Sequence, residues 1–273
     1  MDTVISLLSQ LDYHTYWGVF IFGILISTTA MSSGIDGAVF WAPVLLIVYR
    51  VEPSVAIACA IFIEIFGFGS GIYGYVKRKK IKYREALYLL MFTIPMGMLG
   101  AYVSKLLPEK FLIFLISLSC LFLIVVNVKR AKMHVEVRKP DDLSLRNMKL
   151  GAILSMIGGF FVGTIGIGIG ETNHYYLLIR NKYPTTFAVG TSVFMIAITA
   201  FFCSLFNLFY FAGSSSFDLV KTASILVFAI PSVIFGARIG VRIAHIIERQ
   251  HFNYMLAGIF CFMCVISFYR ILI

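Results

Sequence analysis

The chain has 273 residues, of which 60% are hydrophobic and 13% charged, and its mean hydropathy is +0.92. That apolar content exceeds what a soluble domain of this length buries, and several runs reach bilayer-spanning length, so the reading is a polytopic membrane protein. The net charge of +10 does not mark a nucleic-acid binder, because the cations gather in short loops between apolar segments, as membrane orientation demands.

The first apolar run, Tyr13 to Tyr49, is interrupted at Ser32-Ser33-Gly34-Ile35-Asp36-Gly37. Its second piece, Ala38 to Tyr49, spans about 18 Å as a helix, short of the roughly 30 Å hydrocarbon core. Nothing in residues 1–16 reads as a cleaved signal: Asp2 and Asp12 are present and no Lys or Arg. Glu52-Pro53 marks a turn. Three membrane-length segments follow, Val55 to Tyr75, Ala86 to Leu106 and Phe111 to Val128, with the basic loop Lys77 to Arg84 between the first two. Hydrophilic sequence then runs to Lys149.

The pattern repeats. An apolar stretch from Leu150 to Thr164 leads into Gly166-Ile167-Gly168-Ile169-Gly170-Glu171-Thr172-Asn173, a short piece to Ile179, a turn to Pro184, and long segments Thr186 to Ala212, Val220 to Ala244 and Phe252 to Leu272. Glycine costs a helix interior about 1 kcal/mol relative to alanine, so alternating glycines predict a break. Gly34 pairs with Gly166 and Ala56 with Ala188 at an offset of 132, and Pro95 with Pro231 at 136. The expected organisation is a first transmembrane repeat (1–128), a cytoplasmic linker (129–149) and a second repeat (150–273).

Charge sets the orientation. Placing the Lys77 to Arg84 loop in the cytoplasm puts 18 of the 23 Lys and Arg on that side. The cation-free 212–218 loop and both termini then lie on the other. The basic loop after the third segment is inside in the first half and its counterpart outside in the second, so the halves have opposite topology. The fold expected is an all-α polytopic membrane protein of two inverted-topology repeats, each with a broken helix pair plus three transmembrane helices. Paired breaks of this kind mark secondary transporters.

Three acids fall within the membrane: Asp36, Glu64 and Glu171. An ionised carboxylate there costs at least about 2.5 to 3.5 kcal/mol, so each faces protein or water. They are candidates for coupling to protons or Na+. Asp36 equally suits a cap of the helix after it, and Glu171 an N-terminal cap interaction; Glu64, mid-helix, has no such role. The helix N-termini after the glycines suit an anion, with Ser33, Gly34, Gly37, Gly166, Gly168, Gly170, Thr172, Asn173, Thr191 and Ser192 as candidate substrate contacts, and Ser32 and Thr164 beside them. The competing reading is close helix packing at the glycines and hydroxyls bonded to their own backbone. No Lys or Arg is expected at that depth. Paired acids also admit an intramembrane hydrolase using Asp36 and Glu171, though an Asp–Glu pair on glycine-broken segments suits a shared water poorly.

His14, His174 and His245 are isolated in sequence, and no metal motif or cofactor motif is present. Five cysteines all lie in apolar segments; Cys261 and Cys264 form a CxxC inside a hydrophobic helix and read as packing. Lys77 to Lys80 would also attract anionic lipid. A homo-oligomer is compatible with all of this.

These motifs carry a resemblance. The glycine-rich break, the proline-led turn Pro184-Thr185-Thr186-Phe187-Ala188-Val189-Gly190-Thr191-Ser192, the basic loop, the proline and Gly-Ala segment and a second copy of each make the chain similar to the TauE/SafE sulfite exporters, along nearly its whole length. Ile63 to Gly71 and Gly168 to Asn173 look like a branch that keeps its carboxylates. Asp36 stands where a glycine is usual in the family, and Tyr175 where the first half has Pro43. The resemblance implies export of sulfite or another small sulfur-containing anion across the cell membrane, with ion coupling, or of a related organic anion such as a sulfonate.

Overall fold

A computed structural model describes residues 13–132, 148–211, 219–244, 246 and 249–272. The body of the expected linker, the 212–218 loop, the first twelve residues and His245 lie outside them. Every regular element among the described residues is helical. After a single turn at Tyr13–Tyr16 come α1 (Gly18–Ser33), α2 (Ala38–Ile47), α3 (Pro53–Lys77), α4 (Tyr83–Leu106) and α5 (Glu109–Lys132). Then follow α6 (Met148–Ile165), α7 (Ile169–Asn173) running into a π-helical turn (His174–Arg180), α8 (Thr185–Phe211), α9 (Leu219–Ile243) and α10 (Arg249–Leu272). Among the described residues, seven of these are long and apolar enough to cross a bilayer. The exceptions are α1 and α2, on either side of the first expected break, and the α7 segment after the second; α6, before the second break, is long enough to cross.

Both broken pairs fold back as hairpins. The ring of Tyr16, before α1, lies 5.3 Å from that of Tyr49, just past α2, so the two outer ends of the pair meet. In the second pair a side chain on Gly151 would strike Tyr176, and one on Gly158 would strike Thr172. Glycine at these places lets the returning segment lie directly against α6.

Packing interleaves the halves. α4 runs along α6, α1 along α9, α5 along α10, and α8 lies against α3 and α4. In the first two contacts the backbones nearly touch. A side chain on Gly163 would overlap the Gly97 carbonyl, and one on Gly236 would come within 2.5 Å of the Ile24 carbonyl oxygen. Small residues at such spacing are how membrane helices gain van der Waals contact without a hydrophobic driving force. Hydroxyls cross the same seams: Ser27 donates to the Val233 carbonyl at 2.7 Å and Thr164 to that of Gly100 at 3.3 Å. The α1–α2 hairpin is further held by Phe40, stacked on Phe260 of α10 at 5.1 Å. These contacts fix the position of each break.

Candidate functional site

The two breaks cross each other inside the protein. Gly34 closes α1 in the left-handed region (φ 72°), where its N–H donates to the Ala30 carbonyl at 2.8 Å. Gly166 and Gly168 open the second break at φ 79° and 155°, conformations that L side chains avoid. Gly170 does not form part of the break as expected; it is already helical. Its role is contact: a side chain there would come within 2.7 Å of the Gly34 carbonyl oxygen and the Ile35 Cα. Likewise a Cβ on Gly166 would lie 2.8 Å from that of Ala38. The segments therefore pass antiparallel, Gly34 against Gly170 and Ala38 against Gly166, with Asp36 between.

Both helix N-termini are occupied by carboxylates of the chain itself. Asp36, fully buried, does not cap the helix after it. One of its oxygens accepts from the N–H groups of Gly168 and Gly170 at 2.8 and 3.0 Å, so it caps the other break. The helix after Asp36 is capped instead by Glu64, reaching from the middle of α3 to accept from the Ala38 N–H at 2.7 Å. Glu64 thus has the capping role its sequence position concealed. Glu171 is the reverse case: buried, it gives neither oxygen to a hydrogen bond with the described residues, and one oxygen each of Asp36 and Glu64 is in the same state. The three acids are within electrostatic reach of one another.

A cation does reach this depth, contrary to the sequence reading. Arg130, expected in the linker, belongs to α5, which continues to Lys132, and is 6% exposed. One terminal nitrogen lies 3.1 Å from His174 Nδ1 and the other donates to the Glu171 carbonyl at 3.3 Å. A guanidinium only donates, so His174 Nδ1 is the acceptor. The far side of that ring faces Gly34: a Cβ there would be 3.4 Å from Nε2. His174 is therefore part of the crossing rather than isolated. Arg130 left one trace in the sequence. Leu112, Ile116, Leu123 and Asn127 form the buried stripe of α5, and Arg130 extends it at helical spacing.

Most expected hydroxyl contacts are engaged elsewhere. Ser33 donates to the Thr29 and Ala30 carbonyls at 2.9 and 3.1 Å and accepts from the Ile35 N–H at 3.2 Å. Ser32 bonds the Thr29 carbonyl, Thr164 that of Phe160, and Thr172 that of Gly168. Asn173 donates to the Met195 sulfur at 3.4 Å. Thr191 accepts from the Lys82 N–H at 3.2 Å, which ties it to the basic loop. Ser192 is fully buried, and its hydroxyl has no hydrogen-bond partner among the described residues. Gly37 precedes α2 in a helical conformation, and Glu64 lies beside it.

Beside the second break, α5 and α6 line a groove of about 950 Å³ whose walls include Gly168, Glu171 and Thr172. Among the described residues no group of His, Cys, Asp and Glu is arranged to hold a metal ion.

Re-entrant hairpins crossing within a bundle of apolar helices, with buried acids and an arginine where they cross, define a multi-pass membrane protein of the transporter type. The chain belongs to the family described as Sulfite exporter TauE/SafE, which matches residues 19–266. It is 26% identical over 254 residues to the probable membrane transporter protein MJ0441 of Methanocaldococcus jannaschii, covering 88% of this chain and 90% of that one. From Bacillus subtilis, the probable membrane transporter protein YunE is 26% identical over 66% of this chain and 73% of its own length. YjnA, described in the same words, is 21% identical over 82% and 90%. No solved structure matches the chain.

Proposed function

We propose that this protein is a secondary transporter that exports sulfite or a related small sulfur-containing anion across the cytoplasmic membrane, coupled to protons, with two inverted repeats meeting at the crossing. The observation that carries the reading is the crossing itself. Under the offset of 132 that pairs Gly34 with Gly166, Asp36 pairs with Gly168, the residue to which it is hydrogen-bonded. Contacts 34 to 170 and 38 to 166 then exchange with each other, as a two-fold axis through Asp36 and Gly168 requires. The helix pairs α4–α6 and α1–α9 exchange in the same way. On this reading the first hairpin enters from outside, the second from the cytoplasm, and both termini lie outside.

The carboxylates at the two N-termini favour an anion site, because they occupy the places an anion would take. Substrate enters by displacing Asp36 or Glu64 from its amides, and a proton on the displaced acid removes the charge that would otherwise be stranded. Arg130 supplies the compensating positive charge. Na+ in place of the proton, and a sulfonate in place of sulfite, are variants of the same scheme.

The test is flux in proteoliposomes loaded with sulfite, thiosulfate or methanesulfonate under imposed pH and Na+ gradients. Saturable flux that follows the pH gradient is the expected result. Absence of flux with all three anions would overturn the anion reading; flux driven by Na+ alone would replace the proton.

A further inference from the structure

The groove between α5 and α6 is not uniform in its lining. Its body is apolar, walled by Leu118, Phe122 and Val125 of α5, Ile157 and Phe161 of α6, and Tyr175. Its charged lining gathers where Lys129 and Arg130 meet the second break at Gly168, Glu171 and Thr172, since Arg130 donates to the Glu171 carbonyl. We infer that this groove receives an amphiphilic organic anion, its sulfonate or similar head at Lys129 and Arg130 and its alkyl tail along the apolar walls. The inference rests on the anion-transport reading and narrows its substrate class.

Two observations favour that occupant. Charge is one: among the residues that line the groove, two are cations, Lys129 and Arg130, and one is an acid, Glu171, a balance that favours an anionic head, while a bare inorganic anion has nothing to gain from the apolar body. Continuity is the other. The lining includes Gly168, Glu171 and Thr172, so an anionic head bound beside Arg130 lies at the crossing itself. Beside the first break, by contrast, α2 packs against α10 through Phe40 and Phe260. Arg130 is fixed in the lining by its bonds to His174 and the Glu171 carbonyl, which holds the positive charge in place for an arriving head.

The test is binding of methane-, butane- and octanesulfonate to the full chain in nanodiscs, with octyltrimethylammonium as a control of equal tail and opposite charge. Affinity is expected to rise along the sulfonate series, by at most roughly fourfold per methylene for a fully buried tail. Ile157→Trp, which fills the groove, should shrink the ratio of octane- to methanesulfonate affinity. Lys129→Gln, at an exposed position, should weaken every sulfonate severalfold. Melting transitions of both variants confirm that they fold. A flat series, a ratio unchanged in Ile157→Trp, or equal binding of the cationic control would overturn the inference. So would a phospholipid or a second copy of the chain that octanesulfonate fails to displace in native mass spectrometry. If sulfite and methanesulfonate are transported but the series is flat, only this inference fails; if no sulfur anion is moved, both fall.

Discussion

The two breaks solve one problem by different means. Each leaves the N-terminus of a short helix inside the protein, where unpaired N–H groups cost about 1 to 3 kcal/mol apiece. The first uses a carboxylate from the neighbouring long helix, Glu64 of α3. The residue 132 places on is Ile196, which cannot accept, and the second break uses Asp36 from the first break instead. The returning pieces differ too. α2 is α-helical with Pro43 inside it, whereas the second return passes into a π-helical turn holding His174 and Tyr175. Such turns are rare and often sit at functional places. One break is therefore closed and packed, and the other has the arginine, the histidine and the open groove. The two breaks are thus chemically unlike.

Removing the direct backbone contact should have the largest effect. Gly170→Val puts a branched side chain where even a Cβ would be 2.7 Å from the opposing backbone, and overpacking of this kind costs at least about 1 to 3 kcal/mol. The folded yield and melting temperature of the purified protein should fall sharply. Gly37→Ala is the contrasting change, since its nearest neighbour would be 3.5 Å away; a comparable loss there would mean the breaks are equally tight.

Next comes the cation. Arg130→Gln removes the bonds to His174 and the Glu171 carbonyl and the positive charge beside Glu171, a loss of about 1.5 to 3 kcal/mol for each hydrogen bond made by a charged group. Flux should drop more than tenfold. Arg130→Lys should not restore it, because one ammonium cannot reach both His174 and the Glu171 carbonyl in the forked geometry. Full rescue by lysine would reduce Arg130 to a point charge.

The acids should separate by role. Asp36→Ala and Glu64→Ala each orphan buried amides and should destabilise by about 2 kcal/mol or more, measured by thermal unfolding. Glu171→Gln keeps the size of the side chain and the backbone carbonyl that Arg130 binds, so stability should hold while the pH dependence of flux flattens. An unchanged pH profile in Glu171→Gln would remove it from coupling. The smallest effect is expected at Ser192→Ala. Its buried hydroxyl has no hydrogen-bond partner among the described residues, so stability should change by less than about 1 kcal/mol. A loss of anion affinity at unchanged stability would make Ser192 a substrate contact.

Sequence alone determined the membrane class, nearly all helix spans and the two breaks. Those features are local: apolar runs and glycine and proline punctuation can be read along the chain. It also located three acids, because charge inside an apolar run is conspicuous. What it could not supply was the partner of each acid. Asp36 and Gly168 are 132 residues apart, and Glu64 and Ala38 lie on different helices; a cap taken from another segment leaves no spacing signature. Arg130 was hidden by a run of basic residues at a helix end, where a cation normally faces solvent. Only the packing of α5, α6 and the second break turns it inward. The tertiary structure decided which carboxylate serves which helix, that Gly170 is a contact rather than a bend, and that the open face lies on the side of Arg130.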